Sequence, residues 1–153
     1  MLTNEWIKHK AHQVVYSAGT RDPFKICEAH GIPVRYDDLG SQIMAYHTTI
    51  KRIPAIVLST RNSEFENNYA CGHELGHHFC HHKGNTEYLA RNNRRFVTYG
   101  DEFEANEFMA DMFLDSVNIA DYETKEQLMK CCHIPMWAEK YIDWDLVVDI
   151  EGS

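Results

Sequence analysis

The stretch Cys71-Gly72-His73-Glu74-Leu75-Gly76-His77-His78-Phe79-Cys80-His81-His82 decides how this chain is read. It contains His-Glu-x-x-His at residues 73–77. On a helix, residues i and i+4 share one face, so His73 and His77 reach one metal ion from the same side. Glu74 stands next to the first of them and reaches water on that metal. Zinc lowers the pKa of such water from about 16 to about 7. A carboxylate beside it takes the proton and later delivers it to a leaving amine. His73 and His77 are the candidate zinc ligands, and Glu74 is the candidate catalytic base. Gly72 and Gly76 each cost a helix about 1 kcal/mol against alanine. A helix that accepts both is expected to meet another backbone closely there. His81 continues the i+4 series, and His78 with His82 forms another pair, but only the pair 73/77 has a glutamate in the base position. His78, His81 and His82 are expected to be outer partners or surface groups, and Cys71 and Cys80 buried small apolar residues.

Outward from this segment, Ser63 is a candidate N-cap for a helix running from about Glu64 to His82 and broken near Gly84-Asn85. Before it lie three strand-like runs, 32–36, 43–50 and 54–59. A helix is expected over 4–17, where Trp6, Ile7, Ala11, Val14 and Val15 are spaced for one face. A second starts at Asp22-Pro23 and ends at Gly31. After the motif, residues 84–100 read as a polar loop. A strong helix follows from Asp101 to about Val117, then short ones at 123–132 and 135–142. Grouped strands and grouped helices predict an α+β fold. Its sheet has about three strands, antiparallel or mixed, packed on helices, with the His-Glu-x-x-His helix at the active site. A length of 153 residues predicts a single domain, 1–153.

The formal charge is −8. The longest basic runs, Lys51-Arg52 and Arg94-Arg95, are too short for a nucleic-acid surface, so no direct nucleic-acid binding is expected. Residues 1–6 lack the features of a secretion signal, and no apolar run approaches the ~20 residues of a membrane span. The five cysteines form no Cys-x-x-Cys pair. Reduced thiols and a cytoplasmic location without membrane attachment are the simplest expectation. Lys130-Cys131-Cys132-His133 lacks a second Cys/His pair at finger spacing, and Cys131 is expected in the core with Cys132 at the surface.

A catalytic zinc needs a third protein ligand and one open position. The acidic segment 101–111 offers Glu102, Glu104 and Glu107. Glu107 falls in the apolar stripe Phe103, Ala110, Leu114, Val117, yet helical geometry alone does not choose among the three. At least two of them are expected to be solvated. Asn106 or Asp111 is a candidate to orient a ligand histidine. Arg91, Arg94, Arg95 and Tyr99 are candidate oxyanion donors, although loop residues more often face solvent.

Two motifs, His73-Glu74-Leu75-Gly76-His77 and Glu104-Ala105-Asn106-x-Phe108-x-Ala110, resemble the ImmA/IrrE family of metallopeptidases. The family pattern closes Phe-Ala, and here Met109 intervenes. Met112-Phe113-Leu114-Asp115 also lacks the proline that often follows. The weaker likeness extends over most of residues 5–142. The resemblance implies a zincin hydrolase with a small mixed sheet, Zn²⁺ as cofactor and Glu104 as the third ligand. It implies a phage or mobile-element setting and a helix-turn-helix repressor as the protein partner, cleaved at a specific site to relieve repression. A substrate strand would then lie along residues 54–59. The main rival is a non-catalytic anti-repressor that captures its target around a structural zinc. A general protease or toxin ranks third.

Overall fold

The computed structural model describes residues 1–82, 88–91 and 100–144. Arg94, Arg95 and Tyr99, candidate oxyanion donors, and the break at Gly84-Asn85 lie outside these residues. Helix α1 (Asn4–Ala18) starts on the Thr3 cap, and α2 (Pro23–Ala29) starts on Asp22 with proline in its first turn. Strands β1 (Val34–Asp37), β2 (Ile43–Ile50) and β3 (Ile53–Ser59) precede the motif helix α3 (Glu64–Phe79). Strand β4 (Leu89–Ala90), α4 (Asp101–Leu114) and α5 (Lys125–Cys131) follow, with 3-10 turns at Ile119–Asp121 and Met136–Tyr141.

The fold is α+β. The sheet has four strands in the order β1-β3-β2-β4, with β1 parallel to β3 and the other pairs antiparallel. The additional strand, β4, is two residues long and falls within the stretch that the polar composition marks as loop. Strand β3 lies inside the sheet, and its residues 56–58 are paired on both sides, so that part of 54–59 offers no edge to a substrate strand. Among the described residues, no helix is long and apolar enough to cross a membrane.

Helix α3 packs on β2, β3, α2 and α4, and α1 closes over α4. Ile7, Met44, Leu58, Leu75, Phe108 and Met112 fill the core between these layers. Burial of this size is the main stabilising contribution, about 1.5–3 kcal/mol for each large side chain. Cys132 is buried and Cys131 exposed, the reverse of the expectation. Cys132 lies four residues after buried Leu128, so it shares the core-facing side of α5.

The two glycines of the motif helix bear on α4 differently. A Cβ on Gly76 would stand 2.6 Å from the Ala105 carbonyl oxygen and 2.8 Å from its Cα. A Cβ on Gly72 would meet the Phe113 ring at 2.9 Å. Helix propensity alone makes Gly76→Ala stabilising by about 1 kcal/mol. Backbone cannot step aside as a ring can, so Gly76→Ala is expected to destabilise by about 3 kcal/mol. Gly72→Ala is expected to change stability by less than about 1 kcal/mol, because Phe113 can turn. Urea unfolding of both variants checks this, and a Gly76→Ala protein as stable as wild type would contradict the close crossing.

Candidate metal centre

The capping box at Ser63 fixes where α3 begins. Its hydroxyl accepts from Glu66 N at 3.1 Å, and Glu66 Oε1 accepts from Ser63 N at 2.9 Å. Three turns on, His73, Glu74 and His77 are all fully buried. The two Nε2 atoms stand 3.2 Å apart on one face.

The third group that meets them is Glu102. Its Oε2 is 3.1 Å from His73 Nε2 and its Oε1 3.0 Å from His77 Nε2. The structure brings Glu102, and not the expected Glu104, against the two histidines: two residues along a helix turn the side chain by roughly 200°, so Glu104 leaves the face that Glu102 occupies. Gly100, with φ 89° and ψ −171°, starts α4 in a backbone region that glycine tolerates, and Glu102 enters the site from the first turn. The solvated reading of the acids also fails. Glu104 and Glu107 are buried, and Glu102 is half-buried. Burial, with Asp143 and Glu104 nearby, raises the Glu107 carboxyl to about 7.

Outer partners assign the tautomers. His73 Nδ1 lies 2.7 Å from Asn106 Oδ1, so the ring donates there and turns its Nε2 lone pair inward. Asn106 is the orienting residue, four positions after Glu102 on the same face; Asp111 is not. His77 Nδ1 lies 2.8 Å from His82 Nδ1, and His82 Nε2 lies 2.7 Å from Glu104 Oε1. Leu2 N donates to the other Glu104 oxygen at 2.7 Å. Hydrogens on His77 Nδ1 and His82 Nε2 satisfy this chain and again leave His77 Nε2 as an inward acceptor.

His82 holds this place because α3 ends earlier than its pattern suggests. His81 adopts φ 62°, and His82 N donates back to His77 O at 3.0 Å while His81 N donates to His78 O at 3.2 Å. This is a Schellman ending with histidine where glycine is usual. His82 is thereby folded onto His77 instead of lining up with His78.

Three acceptor atoms, His73 Nε2, His77 Nε2 and a Glu102 oxygen, thus converge with 3.0–3.2 Å between them. Zinc bonds of 2.0–2.2 Å in a tetrahedron place ligand atoms about 3.3 Å apart. A cation satisfies such a cluster, whereas hydrogen bonds would require an added proton. Both oxygens of buried Glu74 have no hydrogen-bond partner among the described residues. A buried carboxylate in that state is costly unless a bound group or substrate completes it. The donor set and this orphaned carboxylate fit a catalytic metal with a base beside it. Without a metal, burial opposes charge on Glu102, but the adjoining His73 and His77 rings, once either takes up a proton, hold its carboxyl well below the usual range.

Arg91, a candidate oxyanion donor, is engaged elsewhere. It pairs with Glu66 and donates to Asn62 Oδ1 at 3.1 Å and Ser41 O at 3.3 Å, at the far end of α3. His47 on β2 is a residue the sequence reading passed over. Its ring stacks on His77 with centroids 5.0 Å apart, and its Nδ1 lies 3.5 Å from Glu74 Oε2.

A family model, described as the IrrE N-terminal-like domain of peptidases, matches residues 27–128, which include His47, His73, Glu74, His77, His82 and Glu102. The chain belongs to this peptidase family. Two curated proteins are similar to this member of the IrrE N-terminal-like family. "Uncharacterized immunity region protein 2" of Bacillus phage phi105 is 27% identical over 120 residues, covering 78% of this chain and 75% of that protein. "Metallopeptidase ImmA" of Bacillus subtilis strain 168 is 24% identical over 147 residues, covering 92% of this chain and 86% of that protein. No solved structure matches. The family and these relatives make the chain a metallopeptidase, and the resemblance read from its two motifs holds.

Proposed function

We propose that the chain is a zinc endopeptidase that cuts a helix-turn-helix repressor at one site and so relieves repression. The observation that supports this most directly is the convergence of three inward acceptors, on His73, His77 and Glu102, beside the buried and orphaned Glu74. The relatives' names, one a phage immunity region protein and one a metallopeptidase, support the setting and the class of reaction, and the repressor as substrate is what the resemblance of the two motifs implies.

His73, His77 and Glu102 would hold the zinc, which supplies Lewis-acid activation of water and of the scissile carbonyl. Asn106 and the His82–Glu104 pair hold the two imidazoles in the required tautomer. Glu74 takes a proton from the attacking water as its oxygen joins the carbonyl carbon. The same carboxyl returns that proton to the amide nitrogen as the C–N bond breaks. Glu74 is fully buried, and exclusion of bulk water strengthens each of these interactions. Among the described residues, β4 pairs with β2 only at Ile43 and Ala45. The outer side of 46–50, next to His47, is the edge on which a substrate strand would add.

The test is incubation of zinc-loaded protein with the repressor encoded nearest its gene, read by mass spectrometry of the fragments. One cut, abolished by a chelator and restored by zinc, is expected. An intact repressor, or a cut that persists with chelator, would overturn the proposal.

A further inference from the structure

Glu74 has three side-chain torsions and no hydrogen bond among the described residues to fix them. A base that must take a proton from one direction and return it in another needs one oxygen held. From the geometry we infer that His47 is the positioning residue of Glu74, its Nδ1–H directed at Oε2 so that Oε1 is left to handle the proton. This rests on the metallopeptidase reading of the site and adds a residue to it.

His47 is placed for this by the sheet. It sits in the middle of β2, opposite Ile56, on a strand held by β3 instead of on a loop. Its ring lies nearly parallel to that of His77, at 19°, which fixes the plane in which Nδ1 points. The side chain is 14% exposed and Glu74 is fully buried, so the pair is shielded from competing water. The 3.5 Å separation is long for a bond. Catalytic hydrogen bonds are often long before substrate binds and shorten in the complex. His47, Glu74 and His77 also offer ligand-type atoms within 4.8 Å of one another. Glu102 stands closer to both motif histidines than this group requires, so His47 is left to serve the base and not the metal.

Two variants separate the donor from the ring. His47→Phe keeps a ring against His77 and removes the donor. His47→Asn removes the ring and places an amide N–H close to the position of Nδ1. The probe is acetohydroxamate, a small zinc-binding group that also hydrogen-bonds to a neighbouring carboxyl. Its dissociation constant is measured on zinc-loaded wild type, both variants, Glu74→Gln and the His47→Phe/Glu74→Gln double variant. Zinc content is measured alongside. Binding on the order of tenfold weaker in His47→Phe is expected, from a lost hydrogen bond to a charged group. His47→Asn should recover most of it, zinc content should not change, and the double variant should bind no worse than Glu74→Gln. Wild-type affinity in His47→Phe, or equal loss in His47→Asn and His47→Phe, would overturn the inference while leaving the metal site in place. Failure of wild type to bind zinc, or no effect of Glu74→Gln, would overturn the metallopeptidase reading of this site and His47's role with it.

Discussion

Glu102→Ala is expected to lose zinc affinity by more than about 100-fold, whereas Glu104→Ala loses about 10–100-fold, the usual range for a partner that only orients a ligand. The difference follows from where the two carboxylates sit. Glu102 oxygens stand 3.0 and 3.1 Å from the two motif nitrogens. Glu104 touches His82 and the Leu2 amide instead, and acts on His77 through one intervening ring. Removing Glu102 takes away a ligand and a negative charge. Removing Glu104 loosens one imidazole and frees the backbone at Leu2. Elemental analysis after dialysis against a competing chelator decides it. Zinc kept by Glu102→Ala and lost by Glu104→Ala would mean that α4 enters the site in another rotation.

Glu74→Gln is expected to lower cleavage by about 10²–10⁴-fold with zinc retained. The same variant is expected to raise the melting temperature of the metal-free protein. Glu74 is fully buried with both oxygens unbonded among the described residues, and a neutral amide removes a desolvated charge. Opposite signs on activity and stability mark a group held for chemistry at a cost to the fold. Cleavage rate and thermal unfolding are the two measurements. A structural zinc in a binding module has no use for a base. If Glu74→Gln still relieved repression at the wild-type level, the capture reading would replace the endopeptidase one.

Much of the fold was legible because its signals are local. The cap at Ser63, the Asp22-Pro23 start and the apolar spacing of α1 all depend on residues within a turn or two of one another. Strand β4 was not, because two residues carry no periodicity and owe their strand geometry to β2. The end of α3 was misjudged for a related reason. Histidine at 81 takes the left-handed conformation that glycine usually signals.

The site divides along the same line. His73, Glu74 and His77 lie within five residues on one helix, so helical geometry alone brings them to one face. The i+4 pair Glu102 and Asn106 carried a usable signal, matching the i+4 spacing of the two histidines. It went unread because motif resemblance favoured Glu104. His47 carried no signal, since a single strand histidine is indistinguishable from any other until β2 is laid against α3. The sequence by itself determined the metal-binding pair, the base and the α+β class, because these follow from short-range spacing. Only the tertiary structure decided that Glu102 and not Glu104 meets that pair, that His82 turns back to orient His77 and that His47 faces Glu74. Each depends on the rotation and close approach of elements far apart in the chain, set here by Gly76 against Ala105.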